Sequence, residues 1–215
     1  MKIKKIHHRY EKFELEIEDI DIPQNTIVGL VGANGAGKTT MMYLLSGIKR
    51  ANVAIQTDGI EKSEILFIPS ELEPYDYLTV EEFVEVVIKY SKEKGKVEDI
   101  LQELALQEQR KKLISDLSEG MRKKLNLVPM FLKSYQLIIL DEPFNSIDLE
   151  YVYQLKKIIR NKGMKSTFLI SSHILETLND LCERFILLEN GKVKKTFLSQ
   201  NSIKELEKEI FDRAY

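Results

Sequence analysis

Gly32, Gly37, Lys38 and Thr39 fit the pattern G-x-x-x-x-G-K-[ST], a spacing that suits phosphate chemistry. Glycines let a backbone turn tightly and aim successive N–H groups at phosphate oxygens. Here the loop Asn34-Gly35-Ala36-Gly37, running on to Thr40, would form that cradle. Lys38 would reach the β- and γ-phosphates, and the Thr39 hydroxyl would sit on Mg²⁺. A helix starting at this point adds about half a positive charge. A second pair of residues suits the same chemistry. Asp141 and Glu142 follow the apolar run Leu137-Ile138-Ile139-Leu140. An aspartate at a strand end can hold Mg²⁺, and the neighbouring carboxylate can orient or deprotonate an attacking water. The third candidate is Leu117-Ser118-Glu119-Gly120-Met121, where Ser118 caps a helix and Gly120 leaves room for a ligand near the backbone. That makes a second anion site or an ordinary helix cap.

Each candidate needs an element to hold it. Thr26 to Val31 reads as a strand covered on both faces, and Met41 to Leu45 continues as a helix, so the glycine loop has strand–loop–helix context. Residues 2–22 alternate, with Phe13, Leu15 and Ile17 against Glu14, Glu16 and Glu18, which predicts antiparallel strands with one wet face. Short strands are expected at Asn52–Thr57, Ile65–Ile68, Gln136–Asp141 and Ser166–Ser171. Residues 71–134 read as helical. Thr79 and Glu82 make a capping box, and Val80, Phe83, Val84, Val87 and Ile88 form one apolar face. A third helix begins near Ser118, with Pro129 expected to kink it. Asp148 can cap a helix ending at Gly163, and Ile174–Cys182 reads as a short helix. Asn190-Gly191 marks a hairpin, and a last amphipathic helix carries Ile203, Leu206 and Ile210. The chain is therefore read as one domain over residues 1–215, an α/β core with a helical subdomain inserted at about 72–134.

The 215 residues carry 32 Lys+Arg and 34 Asp+Glu, a net charge of −2. A nucleic-acid partner is not expected from that balance. Cys182 is the only cysteine, so no intrachain disulfide can form and a buried apolar role is expected. No apolar run approaches a membrane span, and no signal peptide is evident, so the chain is read as cytoplasmic. His7 and His8 are read as surface residues.

The motifs together resemble the nucleotide-binding subunit of ABC transporters. Gly32–Thr40 is similar to Walker A, LIILDEP (Leu137–Pro143) to Walker B, and LSEGM (Leu117–Met121) to the family signature LSGGQ. Asn145-Ser146-Ile147-Asp148 resembles the D-loop, and His173 the switch histidine. The resemblance covers roughly residues 2–200 and implies a RecA-like P-loop NTPase core, an antiparallel β-subdomain and a helical subdomain. It implies ATP and Mg²⁺ as cofactors, Glu142 as general base, and His173 on the γ-phosphate. Tyr10 would stack on adenine, with Phe13 as a neighbouring alternative. It implies a head-to-tail dimer with a second copy or a homologous subunit, each ATP closed by the partner's Ser118 and Gly120. A separate membrane permease, of the exporter type for drugs or antimicrobial peptides, would hold the dimer at the inner face of the membrane through Pro74, Tyr75 and Tyr77. The family usually has a glutamine where Ser70 stands, and Glu71 is the possible substitute. Glu119 replaces a signature glycine and must point away or be offset by Arg122 or Lys123. Pro129 replaces a common arginine. Two alternatives stand beside this reading: a soluble ABC-type ATPase outside transport, and a regulatory or immunity component that hydrolyses weakly.

Overall fold

The computed structural model describes residues 1–70, 75–145, 149–173 and 175–198. The strands are β1 (Lys2–Arg9), β2 (Glu14–Asp21), β3 (Ile27–Val31), β4 (Ala54–Asp58), β5 (Ile65–Ile68), β6 (Leu137–Leu140), β7 (Thr167–Ser171), β8 (Arg184–Glu189) and β9 (Lys192–Leu198). The helices are α1 (Lys38–Ser46), α2 (Val80–Ser91), α3 (Val97–Glu103), α4 (Glu119–Leu125), α5 (Leu149–Gly163) and α6 (Leu175–Asn179). β2-β1-β4 form an antiparallel sheet, and β5-β6-β7-β3-β8-β9 form a second sheet. Strands β5, β6, β7, β3 and β8 run parallel, and β9 returns antiparallel from β8. The β8–β9 turn places Asn190 at φ 49 and Gly191 at φ 77, the left-handed pair a two-residue hairpin requires.

Alternate residues of the central strands serve two cores. Val28 and Leu30 of β3, Ile139 of β6 and Leu169 of β7 pack between the two sheets around α1. Ile27, Val31, Ile138, Leu140, Phe168 and Ile170 face the other way, against α2 to α6. This is why these strands read as unbroken apolar runs: both faces are covered. α1 is held between the sheets with Met41, Met42, Leu44 and Leu45 all buried, so it does not need a polar stripe of its own. Between β5 and β6 the described residues form helices and short turns, with one isolated bridge, Thr79 to Leu113.

Three expectations are corrected. Pro129 does not kink a long helix. α4 stops at Leu125, and Pro129 is the second residue of the separate turn Val128–Phe131, an early position where its missing N–H costs no helix bond. His8 is buried rather than on the surface, and its Nδ1 accepts a hydrogen bond from the Asn52 N–H at 3.1 Å. Burial and the nearby Lys49 charge lower its pKa. The strand expected at Asn52–Thr57 starts later, at Ala54, and includes Asp58. The capping Asp148, the helix with Ile203, Leu206 and Ile210, and Ile174 lie outside the described residues. Cys182 is buried as expected, and burial pushes its thiol pKa up.

An ion-paired joint ties α2 to the segment that leads to Ser118. Glu81, in the first turn of α2, pairs with Arg110 and Lys111, and the Glu81 N–H donates to the Arg110 carbonyl at 3.0 Å. These hydrogen bonds lower the Glu81 carboxyl from 4.5 to about 2. A carboxyl depressed in the folded state adds stability above its unfolded pKa, and this fades as pH falls through the folded value. Glu81→Gln is therefore expected to lower the thermal midpoint at pH 7. The deficit should shrink between pH 4.5 and about 2, as a pH series of unfolding scans would show. A deficit independent of pH would assign the effect to packing.

Candidate functional site

The site lies where the parallel strands end. β7 lies between β3 and β6, so the loops leaving β3, β6 and β7 converge beyond their carboxyl ends. Open α/β sheets place ligands at that edge. The glycine loop leaves β3 at Gly32, Asp141 leaves β6, and His173 lies two residues beyond β7.

Two glycines in the loop are required by their surroundings. A Cβ on Gly32 would fall 2.3 Å from the Leu188 carbonyl oxygen. Gly37 has φ 106, and a Cβ there would meet Leu15 and Phe13 at 2.9 Å. Gly35, at φ 81, has open space beside it. The loop is tied back by the Gly191 N–H, which donates to the Ala36 carbonyl at 3.0 Å. Lys38 is buried, and its Nζ donates to the carbonyls of Gly32 (2.8 Å) and Ala33 (3.3 Å). The same ammonium stands 3.9 Å from Glu142 Oε1.

The acidic residues are held by a short network. Thr39 Oγ1 donates to Asp141 Oδ2 at 2.8 Å. Ser171 Oγ donates to the other oxygen, Oδ1, at 2.6 Å, and accepts from the Glu142 N–H at 2.8 Å. Glu142 takes the left-handed conformation, φ 48, which is costly for a residue with a side chain. Its Oε2 accepts from the His173 N–H at 3.2 Å and pairs with His173 Nδ1 at 2.9 Å. The structure therefore brings together Lys38, Thr39, Asp141, Glu142 and His173. Ser171 was not singled out from sequence. Its signal was available only as a hydroxyl at the end of an apolar strand, just ahead of His173.

The remaining candidates lie around this group. Tyr10 is partly exposed beside the loop. Lys49 Nζ donates to its hydroxyl at 2.6 Å and lies 4.1 Å from its ring centroid. The Lys49 and Thr40 hydrogen bonds lower the Tyr10 pKa against the opposing effect of burial. Phe13 is also adjacent, with its ring centroid 6.2 Å from that of Tyr10. Ser118 caps α4, its hydroxyl accepting from the Met121 N–H at 3.3 Å, and Gly120 is buried. Arg122 holds the approach to that cap through the Ser115 carbonyl (3.0 Å) and Asp76 (3.6 Å). Among the described residues, no hydrogen bond or ion pair joins Ser118 or Gly120 directly to Lys38, Thr39, Asp141, Glu142 or His173 within one chain. Ser70 is exposed, and Glu71, Pro74, Ser146, Ile147 and Asp148 lie outside the described residues.

The donor set suits Mg²⁺ with nucleotide. Thr39 and Asp141 offer hard oxygens, and Mg²⁺ binds through one or two protein oxygens plus phosphates and water. No cluster of three or more His, Cys, Asp or Glu able to hold a metal occurs among the described residues.

A family model described as ABC transporter matches residues 15–145. The chain is 32% identical over 197 residues to the lipopolysaccharide export system ATP-binding protein LptB of Haemophilus influenzae, covering 82% of this chain and 81% of that protein. It is 32% identical over 212 residues to the bacitracin transport ATP-binding protein BcrA of Bacillus licheniformis, covering 91% of this chain and 69% of that one. Across these and other curated relatives the chain spans 53% to 81% of their length. Among solved structures it resembles the dimeric post-hydrolysis state of the ATP-binding cassette MJ0796 bound to ADP and Pi. That match has a TM-score of 0.73 at 16% identity, and covers 94% of this chain and 99% of the other. It bears on fold alone.

Proposed function

The chain belongs to the ABC transporter family of ATP-binding subunits, a family of ATPases, and on that premise we propose that it hydrolyses Mg·ATP to energise a separate membrane permease. The observation that carries this reading is the convergence of Lys38, Thr39, Asp141, Glu142 and His173 at one sheet edge. The backbone from Asn34 to Thr40 and the Lys38 ammonium would bind the polyphosphate, and Thr39 with Asp141 would hold Mg²⁺. Bound Mg²⁺ would neutralise charge on the phosphates. Glu142 takes the proton of the attacking water, and His173 contacts the γ-phosphate. A carboxylate only accepts, so His173 Nδ1 carries the hydrogen in that pair. His173 can then donate to a phosphate through Nε2 only as the imidazolium. Tyr10 stacks on the adenine ring, with Phe13, 6.2 Å away between ring centroids, as the alternative.

We further propose that residues of about 72–134 act as the helical subdomain of one ATPase domain. A second copy, or a homologous subunit, would pair head to tail and present its Ser118 and Gly120 to the bound ATP. Support comes from the dimeric state of the structural neighbour. The permease would be of the exporter type, for a drug or antimicrobial peptide. The names of the LptB and BcrA relatives support that class. Tyr75 and Tyr77, exposed and with ring centroids 5.8 Å apart, offer it an aromatic surface. No helix of the described residues is long and apolar enough to cross a membrane. The permease would hold the chain at the inner face of the membrane.

The test is hydrolysis by the purified chain in Mg²⁺ and in EDTA, followed by co-expression with a candidate permease and assay of peptide resistance. Hydrolysis without Mg²⁺ dependence would refute the site. Resistance unaffected by the pair would refute the exporter class. Ser70→Gln is expected to shift the Mg²⁺ dependence of hydrolysis, because it supplies the longer amide that the family usually carries at this position. An unchanged Mg²⁺ titration would mean the position is idle.

A further inference from the structure

Glu119 puts a negative charge in the first turn of α4, beside the turn that would meet ATP. The structure shows how that charge is met. Lys123, one helical turn on, places its Nζ 3.4 Å from Glu119 Oε1. The same ammonium donates to the Asn145 carbonyl at 2.7 Å. Asn145 belongs to the loop that starts at the base candidate, since its N–H donates to the Glu142 carbonyl at 3.2 Å. Arg122, the other neighbouring cation, is directed elsewhere, to Ser115 and Asp76. One side chain thus joins the signature turn to the Glu142 loop.

We propose that Lys123 is a positioning residue that allows an acidic side chain at Glu119: it neutralises that charge and anchors α4 to the loop leaving Glu142. The inference rests on the reading that Ser118 and Gly120 meet ATP on a partner copy. The two tasks should separate in kinetics. An uncompensated Glu119 repels a polyanion and weakens binding, whereas a lost Asn145 anchor loosens the loop beginning at Glu142 and slows turnover. The stability cost should be small. The Glu119 side chain is 64% exposed, and exposed pairs add little to folding.

The experiment is steady-state hydrolysis by the full chain against Mg·ATP, for Lys123→Met, Lys123→Arg, Glu119→Gln and the Glu119→Gln/Lys123→Met double variant. Lys123→Met should raise KM by about two- to fivefold, the effect of one solvent-screened negative charge beside a polyanion, and lower kcat several-fold. Lys123→Arg keeps the charge and the donors, and should retain both constants. In the double variant KM should return to the parental value while kcat stays low, because only the charge has been rebalanced. If Lys123→Met fails to fold, Lys123→Gln takes its place with the same expected outcomes. A KM unchanged in the single variant, or not restored in the double, overturns the proposal. ATP-driven pairing in the Glu142→Gln background separates the two levels of the argument. A Glu142→Gln protein that stays monomeric in ATP overturns the two-copy reading and this inference with it. Pairing that is equally tight with Lys123→Met overturns only the role of the lysine.

Discussion

Glu142→Gln is expected to cut ATP hydrolysis by about 10²–10⁴-fold, the usual contribution of a positioned general base, while leaving ATP affinity near that of the parent. Gln is nearly isosteric with Glu. Its amide oxygen can keep the hydrogen bond from the His173 N–H, now 3.2 Å. What it cannot do is take a proton from water. The backbone should hold, because the Glu142 N–H still reaches Ser171 Oγ at 2.8 Å. Single-turnover phosphate release and fluorescent-nucleotide binding separate the two effects. Size-exclusion chromatography in ATP should then show a trapped dimer. Hydrolysis at the parental rate would place the base elsewhere, with Asp141 the next carboxylate to test.

Lys38→Ala should abolish tight ATP binding. The ammonium is 7% exposed and sits inside the glycine loop, held by the carbonyls of Gly32 and Ala33. A charge-assisted hydrogen bond contributes about 1.5–3 kcal/mol, so losing one phosphate contact weakens binding by roughly 10- to 100-fold. The alanine variant also removes the ammonium 3.9 Å from Glu142 Oε1, so the carboxylate opposes phosphate further. Equilibrium binding by calorimetry, with circular dichroism as a folding control, checks the result. Unchanged affinity would remove the loop from the binding site.

What could be read in advance was local in the chain. The glycine loop is one contiguous stretch, and its lysine and threonine sit at the start of the helix it opens. The alternation of residues 2–22 and the apolar run at Ile27–Val31 followed directly from how many faces each strand buries. Thr79 and Glu82 cap α2 reciprocally, as their spacing requires. Misreadings arose where a residue's fate depended on distant chain. His8 looked like a surface residue in an alternating strand, yet the Asn52 backbone closes over it. Pro129 looked like a kink, but the chain leaves the helix before reaching it.

The site itself divides along the same line. The glycine loop, the acidic pair at a strand end and the cap at Ser118 are each legible in one short stretch of chain. Tertiary structure decided which of these meet. Thr39 and Asp141 are 102 residues apart and 2.8 Å from one another, and Glu142 and His173 are 31 residues apart. Those distances follow from strand order, in which β7 lies between β3 and β6 and brings Ser171 to both acids. Parallel pairing is non-local, so no window of residues encodes it; it emerges when both faces of the sheet are buried together. The same packing keeps Ser118 and Gly120 on α4 and links that helix to the Glu142 loop through Lys123.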